Sequence, residues 1–418
     1  MESKMHNIVF ISKFSLLALT FFILSQSNCL AQESSPYPGI YIYGNVVTSD
    51  NETFSGYIRW GKEEMYWHDI FNSIKTKNFK PTTTQEKMDW KDIDWSLSSI
   101  WTDTYQNNSH TFACEFGDLS KIIMKRGERA ELEFRNGAIL EVLGGSNDIG
   151  SDIIMHDHEL GRINFDWEDI LRVEFYEAPH DITPPYGRPL YGTVTSERQK
   201  TYSGHIKWDL DERNGDDILD GDSKHGSQKV PFEKIKQIDK HRSGEGVHVT
   251  FDSGRSLFLD GSNDCDDGNR GIGVFMDGIG TIELSWEDFE SVTFEETPLT
   301  KIAYNDYSLP SAIYADVTTY RGEKHSGYIA YDKDEIWSFE FIDGKDDDIE
   351  YKVPVRNIDL IQPKNRSFSL VQFKSGEQLF LGDTQDVSRS NDGILIYPDS
   401  ASDPLYISWD DIEEILFK

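Results

Sequence analysis

One short pattern constrains the fold of this chain most: a tryptophan followed by two acidic residues, set between two alternating segments. It occurs within residues 163–175, 282–294 and 406–417. Apolar and polar side chains alternate on both sides of each Trp-acid-Asp step, which is the period of a β-strand with one buried face. The pattern therefore predicts a strand, one tight turn and a second strand, used three times.

Two hairpin patterns recur together with it. An opening hairpin contains a Ser-Gly-x-Ile motif, whose glycines are Gly56, Gly204 and Gly327. A later hairpin has Asn-Gly or Ser-Gly at its turn, at residues 136–137, 253–254 and 375–376. Glycine supplies the positive φ that tight hairpin turns need. The recurring glycines are therefore interpreted as structural markers of a repeat and not as functional residues.

The order of these patterns indicates three tandem repeats, each made of two related β modules. The first modules are predicted to close at residues 90–93, 232–235 and 355–358, and the second modules at the Trp-acid-Asp units. The predicted boundaries are 1–31 for a signal peptide, 32–180 for the first repeat with the longest insertions, 181–300 for the second and 301–418 for the third. Four or five short strands per module are typical of a small SH3-like or Sm-like β-barrel, or of a β-sandwich. The predicted fold class is all-β.

Residues 1–31 have the charged, apolar and small-residue order of a secretory signal. Lys4 and Lys13 precede the apolar run 14–24, which is shorter than the roughly 20 residues that a membrane-spanning helix needs. Cleavage after Ala31 then predicts an exported protein (periplasmic, cell-surface or secreted) with no transmembrane span in the mature chain. Cys29 leaves lipoprotein anchoring as an alternative.

Charge and cysteine content narrow the function classes. The chain has 74 acidic and 41 basic residues, a formal net charge of −33. Such a surface repels phosphate backbones, so the sequence predicts no nucleic-acid partner. Apart from Cys29, the cysteines are Cys114 and Cys265, too few for a disulfide scaffold. Whether these two are paired or free is left open.

A polar loop after each later hairpin is the first candidate for a ligand site. Its candidate ligand-binding residues are Asn147, Asp148, Asn263, Asp264, Asp266 and Asp386. Side-chain oxygens in an exported protein suit calcium, whereas Asx turns between strands account for the same residues without an ion. Calcium is therefore one hypothesis for a cofactor, and no cofactor is the other.

The aromatic residues fall into two predicted classes. Trp167, Trp286 and Trp409 recur at one position and are predicted to fill the core of each repeat. Trp67 and Trp101 do not recur, and as exposed aromatics they are candidates for stacking on a sugar ring.

Catalytic motifs are missing from the sequence: it has no phosphate-binding Gly-rich loop, no G-x-S-x-G and no H-E-x-x-H. The predicted function is therefore non-enzymatic, an envelope or extracellular scaffold or binding module with an unidentified protein or glycan partner. One alternative is a carbohydrate-binding protein that uses exposed aromatics. Another is an enzyme whose site lies between repeats, which would require acids or histidines to converge in a concave site.

Overall fold

The computed structural model describes residues 39–61, 63–75, 111–144, 148–298, 303–397 and 404–418. The predicted signal peptide, with Cys29, and the candidates Trp101 and Asn147 lie outside the described residues. Within the described ranges the chain consists of antiparallel strands joined by loops and 3-10 turns, which confirms the all-β prediction. No helix in these ranges is long and apolar enough to cross a membrane.

The first stretch, residues 43–175, forms a ten-stranded sheet. Its strands are β1 (Tyr43–Thr48), β2 (Thr53–Trp60), β3 (Ile70–Lys75), β4 (Thr111–Glu115), β5 (Leu119–Lys125), β6 (Arg129–Phe134), β7 (Ile139–Leu143), β8 (Ile153–Asp157), β9 (Gly161–Phe165) and β10 (Ile170–Phe175). Their order across the sheet is β4-β3-β7-β6-β5-β10-β1-β2-β8-β9. The first and last strands of the stretch are thus paired at the centre of the sheet.

The second stretch, residues 191–294, has a closely similar arrangement. Its strands are β11 (Tyr191–Ser196), β12 (Thr201–Lys207), β13 (Ile218–Ser223), β14 (Gly226–Pro231), β15 (Ile235–Lys240), β16 (Val247–Phe251), β17 (Ser256–Leu259), β18 (Ile272–Met276), β19 (Gly280–Leu284) and β20 (Phe289–Phe294). The pairings give the order β17-β16-β15-β20-β11-β12-β18-β19. The hairpin β13–β14 touches β17 through a bridge between Asp222 and Asp260.

The third stretch, residues 314–417, continues the sheet of the second. Its strands are β21 (Tyr314–Thr319), β22 (Lys324–Ala330), β23 (Phe341–Asp346), β24 (Ile349–Pro354), β25 (Ile358–Pro363), β26 (Phe368–Phe373), β27 (Gln378–Gly382), β28 (Ile394–Tyr397), β29 (Leu405–Ile407) and β30 (Ile412–Phe417). Their order is β24-β23-β27-β26-β25-β30-β21-β22-β28-β29. Because β24 also pairs with β19, the two stretches share one 18-stranded sheet.

The predicted small closed barrels are wrong, because the two halves of a stretch exchange strands. In the second stretch, β15 ends the first half but pairs with β16 of the second half. The opening hairpin β11–β12 in turn pairs with β20 and β18, which come from the second half. The edge strands of each half form their hydrogen bonds with strands of the other half, so neither half closes into a barrel by itself.

The Trp-acid-Asp steps form single turns between strands. Two are 3-10 turns, Trp167–Asp169 and Trp409–Asp411, each followed at once by the last strand of its stretch. The three tryptophans are only 4–5% exposed. Each packs nearly perpendicular to an aromatic residue just after or at the end of the second strand, in the pairs Trp60–Trp167 (6.2 Å), Trp208–Trp286 (6.2 Å) and Tyr331–Trp409 (5.9 Å). These aromatic pairs lie in the hydrophobic cores.

The glycines of the opening hairpin allow two strands to approach closely. A Cβ atom at Gly56, Gly204 or Gly327 would lie 2.2, 2.0 or 2.5 Å from the carbonyl oxygen of His156, Phe275 or Tyr397. Any side chain would therefore push the second strand away from the eighth. At the turn glycines of the later hairpins φ is positive, at +83°, +80° and +92° for Gly137, Gly254 and Gly376, as the turn chemistry predicts.

Buried contacts join the stretches to one another. Arg356 of the third stretch pairs with Asp118 of the first at 2.8 Å and also with Glu115. The ring of Phe339 stacks on Phe134 at 4.4 Å, so part of the third stretch lies in the hydrophobic core of the first. Cys114 and Cys265 are buried and both free, which answers the question of their pairing.

Candidate functional site

A cleft of about 440 Å³ lies where the three stretches meet. The first stretch and the loops next to its strands contribute ionisable side chains on one wall, the second stretch contributes the facing wall, and the third reaches the rim. The ionisable lining residues are Glu63, Glu64, His68, Asp69, Asp148, His205, Lys207, Arg213, Glu283 and Lys352. Acids and histidines thus converge in a concave site between stretches.

Local structure fixes the two walls. In the turn before β3, the Oδ2 atom of Asp69 accepts hydrogen bonds from the main-chain N–H groups of Met65 (2.7 Å) and Tyr66 (2.8 Å). This closed turn holds His68 on the first wall. On the second wall, His205 and Lys207 lie two residues apart on β12 and therefore project from the same face of that strand.

The two histidines of the cleft are neutral and have ring nitrogens without a hydrogen-bond partner among the described residues. Their ring centroids are 5.4 Å apart, and His68 stacks on Phe275 at 3.9 Å. Each is 4% exposed. Neither ring nitrogen of His205 has a partner among the described residues, and the same holds for Nδ1 of His68. Burial lowers the pKa of His205 to about 4 and that of His68 well below its ordinary value, so both are uncharged at neutral pH.

A buried ion pair crosses the interface beside these rings. A guanidinium nitrogen of Arg213 donates to Oδ1 of Asp69, and the guanidinium lies 5.4 Å from the centre of the Tyr66 ring. Burial alone would raise the pKa of the Asp69 carboxyl, but the Arg213 charge outweighs it and holds that pKa below its usual range. The Nε atom of Arg213 has no partner among the described residues.

Lys207 lies between two carboxyl groups without a close hydrogen bond to either. Its Nζ atom is 3.6 Å from Glu63 and 3.9 Å from Glu64. Burial lowers the pKa of Lys207, and the nearby Arg213 lowers it further. Burial and then the negative charge of Asp148 raise the pKa of Glu64 to about 8, so at neutral pH the Glu64 carboxyl is mostly protonated.

One group of acids has the spacing to hold a metal ion. Carboxylate oxygens of Asp209, Glu212 and Asp264 all lie within 4.8 Å of one another, and we call this group the second-stretch acidic cluster. Two of its members already accept hydrogen bonds from main-chain N–H groups, Asp264 from Asp220 at 2.7 Å and Asp209 from Arg270 at 2.5 Å. Burial raises the pKa of Glu212 to about 8 and that of Asp264 to about 6, so protons already reduce the charge of this group near neutral pH.

Three of the aspartates predicted as loop ligands hold strands in place. Asp148, Asp264 and Asp386 each accept a main-chain hydrogen bond near the start of a strand, from Asn72 (2.6 Å), Asp220 (2.7 Å) and Asp343 (2.6 Å). Their carbonyl oxygens accept hydrogen bonds from Trp60, Trp208 and Tyr331. These three aspartates therefore stabilise the fold by joining a loop to a strand and to a core aromatic residue.

The other loop candidates make local contacts. The side chain of Asn263 donates to Asp209 at 2.5 Å, and that of Asp266 accepts from the N–H of Gly268 at 3.0 Å. Among the predicted loop residues that the structure describes, Asp148 alone is part of the lining of the cleft.

Trp67 does not form the exposed platform that the carbohydrate hypothesis requires. Its side chain is fully buried, and its ring lies 4.5 Å from that of Tyr304. The turn closed by Asp69 directs Trp67 into the core of the first stretch, where it contacts Phe175 as well. A buried indole cannot stack on a sugar, so this expectation is wrong for Trp67.

Apart from Asp148, sequence reasoning missed the residues that line the cleft. His205 occupies the strand position that holds Tyr57 in the first stretch and Tyr328 in the third, next to the recurring glycine. The signal in the sequence was a histidine at a position where the other two stretches have tyrosine. Arg213 and His68 lie in loops whose sequences differ between stretches, and nothing local marks them.

No protein-family model, no curated protein and no solved structure matches this chain. The site must be interpreted from its own geometry.

Proposed function

We propose that this chain is an exported, non-enzymatic binding protein made of three copies of one β unit, and that its ligand binds in the cleft between them. The observation that carries the proposal is the convergence of His68, His205 and Arg213 in the cleft, each with a buried nitrogen that has no partner among the described residues. Buried polar groups in native proteins are nearly always hydrogen-bonded. A bound molecule would supply the missing partners.

Three copies of one unit are supported by the strand order. The strand order of the third stretch, from β24 at one end to β29 at the other, recurs in the first stretch. It also recurs in the second stretch, except at the β13–β14 hairpin. Each stretch also has a perpendicular aromatic pair, in which an aromatic residue near the end of the second strand contacts the tryptophan of the turn. Export remains part of the proposal because of the signal-like pattern at residues 1–31.

A binding role is favoured over catalysis because one pair of acids in the cleft, Glu64 and Asp148, recurs at places outside the cleft. Glu64 bridges to Trp60 through the main chain, as Glu212 does to Trp208 and Glu335 to Tyr331. Each glutamate has a raised pKa and an aspartate whose charge contributes to the shift, namely Asp148, Asp264 and Asp386. Since Glu212 and Glu335 do not line the cleft, this pairing serves the fold at all three places and does not identify catalytic acids.

The test is a screen of small polar molecules against the purified chain, with the imidazole resonances of the histidines as the readout. We expect binders to shift the resonances of His68 and His205 and to be recovered chemically unchanged. His205→Gln should abolish these shifts, whereas His248→Gln, at an exposed position on β16, should not. Turnover of a bound compound, or binders that never perturb the two cleft histidines, would contradict the proposal.

A further inference from the structure

Two of the side chains with unpartnered nitrogens in the cleft supply hydrogen-bond donors. The guanidinium of Arg213 only donates hydrogen bonds. Both ring nitrogens of His205 lack a partner among the described residues, so its one N–H is an unpartnered donor in either tautomer. The two side chains are 4–5% exposed, so water reaches them poorly. Buried donors without acceptors are destabilising and rare. Two such donors around one cleft, from Arg213 and His205, indicate a ligand that accepts hydrogen bonds.

Lys207 adds a positive charge at the same place. Its distances of 3.6 and 3.9 Å to the carboxyl oxygens of Glu63 and Glu64 exceed those of a hydrogen bond. The Lys207 ammonium group therefore has donors left for a ligand. Because Glu64 is mostly protonated at neutral pH, the negative charge that faces Lys207 is smaller than the residue types suggest.

We propose that the cleft binds a small organic oxyanion, a carboxylate or phosphate group on an apolar body, held by Arg213, Lys207 and His205. This inference rests on the proposed function and adds the class of ligand. An oxyanion accepts several charge-assisted hydrogen bonds at once, which matches the donors present. Ile206 and Phe275 form an apolar part of the wall against which the body of the ligand packs.

A metal ion held by the two histidines is the competing interpretation, because imidazole is a common metal ligand. The positive charges of Arg213 and Lys207 oppose it. The Arg213 charge lowers the pKa of His68 and His205, although the Asp69 carboxylate, its ion-pair partner, raises both by more. The unpartnered donors of Arg213 and Lys207 still favour an anion, because guanidinium and ammonium groups donate hydrogen bonds and offer a metal ion no lone pair.

The experiment titrates the purified chain with benzoate, phenyl phosphate and the uncharged isostere benzamide, and separately with Zn²⁺. Binding is followed by the imidazole resonances of His68 and His205 and by calorimetry. The variant is Lys207→Gln, and its matched control is Lys236→Gln, which removes an exposed lysine from β15 of the same stretch. Far-UV circular dichroism and the unfolding midpoint check that both variants are folded.

We expect benzoate, phenyl phosphate or both to shift the two histidines, and the stronger of the two identifies carboxylate or phosphate as the group bound. Benzamide should bind at least about tenfold more weakly, and Lys207→Gln should weaken oxyanion binding by about tenfold or more, while Lys236→Gln leaves it unchanged. Equal binding of benzamide and benzoate, or shifts with Zn²⁺ alone, would overturn the oxyanion inference and leave a ligand-binding cleft. If no molecule of the polar screen shifts these histidines, the proposed function fails as well.

Discussion

Removing the guanidinium of Arg356 should destabilise the protein strongly. Arg356 joins the third stretch to the first through Glu115 and Asp118, whose side chains are 4% and 0% exposed. Deleting one partner of a buried ion pair typically costs about 3–5 kcal/mol, because the remaining charge is left without compensation. Arg356→Ala should therefore lower the free energy of unfolding by about that amount at pH 8.

The size of this loss should depend on pH. Burial raises the pKa of Glu115 to about 7 and raises that of Asp118 even with Arg356 present, so without the guanidinium both pKa values move further up. The folded variant then binds protons that the unfolded chain does not, and each such proton recovers about 1.4 kcal/mol per pH unit as the pH falls. The loss should therefore be smaller at pH 6 than at pH 8.

Urea denaturation of the variant, monitored by tryptophan fluorescence at both pH values, measures this effect. Arg198→Ala is the matched control, because Arg198 pairs with Asp347 but is 53% exposed and should contribute at most about 1 kcal/mol. If Arg356→Ala costs no more than this control, or if its cost is the same at pH 6 and pH 8, the assignment of a buried interstretch ion pair is wrong.

Four further outcomes are expected. Glu64 and Glu212 have pKa values of about 8 in the folded chain, so the folded state binds protons that the unfolded chain releases above about pH 4.5. This contribution to stability is complete below about pH 4.5 and is lost as the pH rises through 8. In urea titrations Glu212→Gln should therefore leave stability nearly unchanged at low pH and raise it above pH 8, and a pH-independent effect would contradict this. Trp286→Ala should cost about 3–5 kcal/mol by the same assay, because it empties a core position, and a loss below about 1 kcal/mol would refute the core assignment. Cys114 and Cys265 should react with a thiol reagent only after denaturation, since burial raises the pKa of both thiols, that of Cys265 to about 12, and rapid labelling of the native chain would contradict their burial. The melting midpoint should be the same with and without a chelator, because main-chain N–H groups and protons already compensate the second-stretch acidic cluster; a lower midpoint with chelator would show a structural cation.

Local sequence patterns predicted the strands and the hairpin turns well. Alternation located the strands, since a period of two is a property of neighbouring residues on one strand. The turn glycines and the tryptophan turns were likewise predictable, because each depends on a few consecutive residues. The first module was expected to close at residues 90–93, which lie outside the described residues. The turn that leads into β5 is Phe116–Asp118, matching Phe232–Lys234 and Val355–Asn357. The first of these turns ends in Gly-Asp, unlike the other two, so its sequence did not indicate that the three turns are equivalent.

The sequence by itself determined that this chain is a β protein with a recurring hairpin and tryptophan turn, because those features depend on residues close together in the chain. Tertiary structure alone decided which strands pair, and so replaced closed barrels by sheets in which the halves exchange strands. It also decided that His68 and His205, more than a hundred residues apart in the chain, face one cleft. The period of a strand fixes which side chains share a face, but hydrogen-bond geometry is the same for every partner strand, so contacts across long separations depend on the packing of the whole chain.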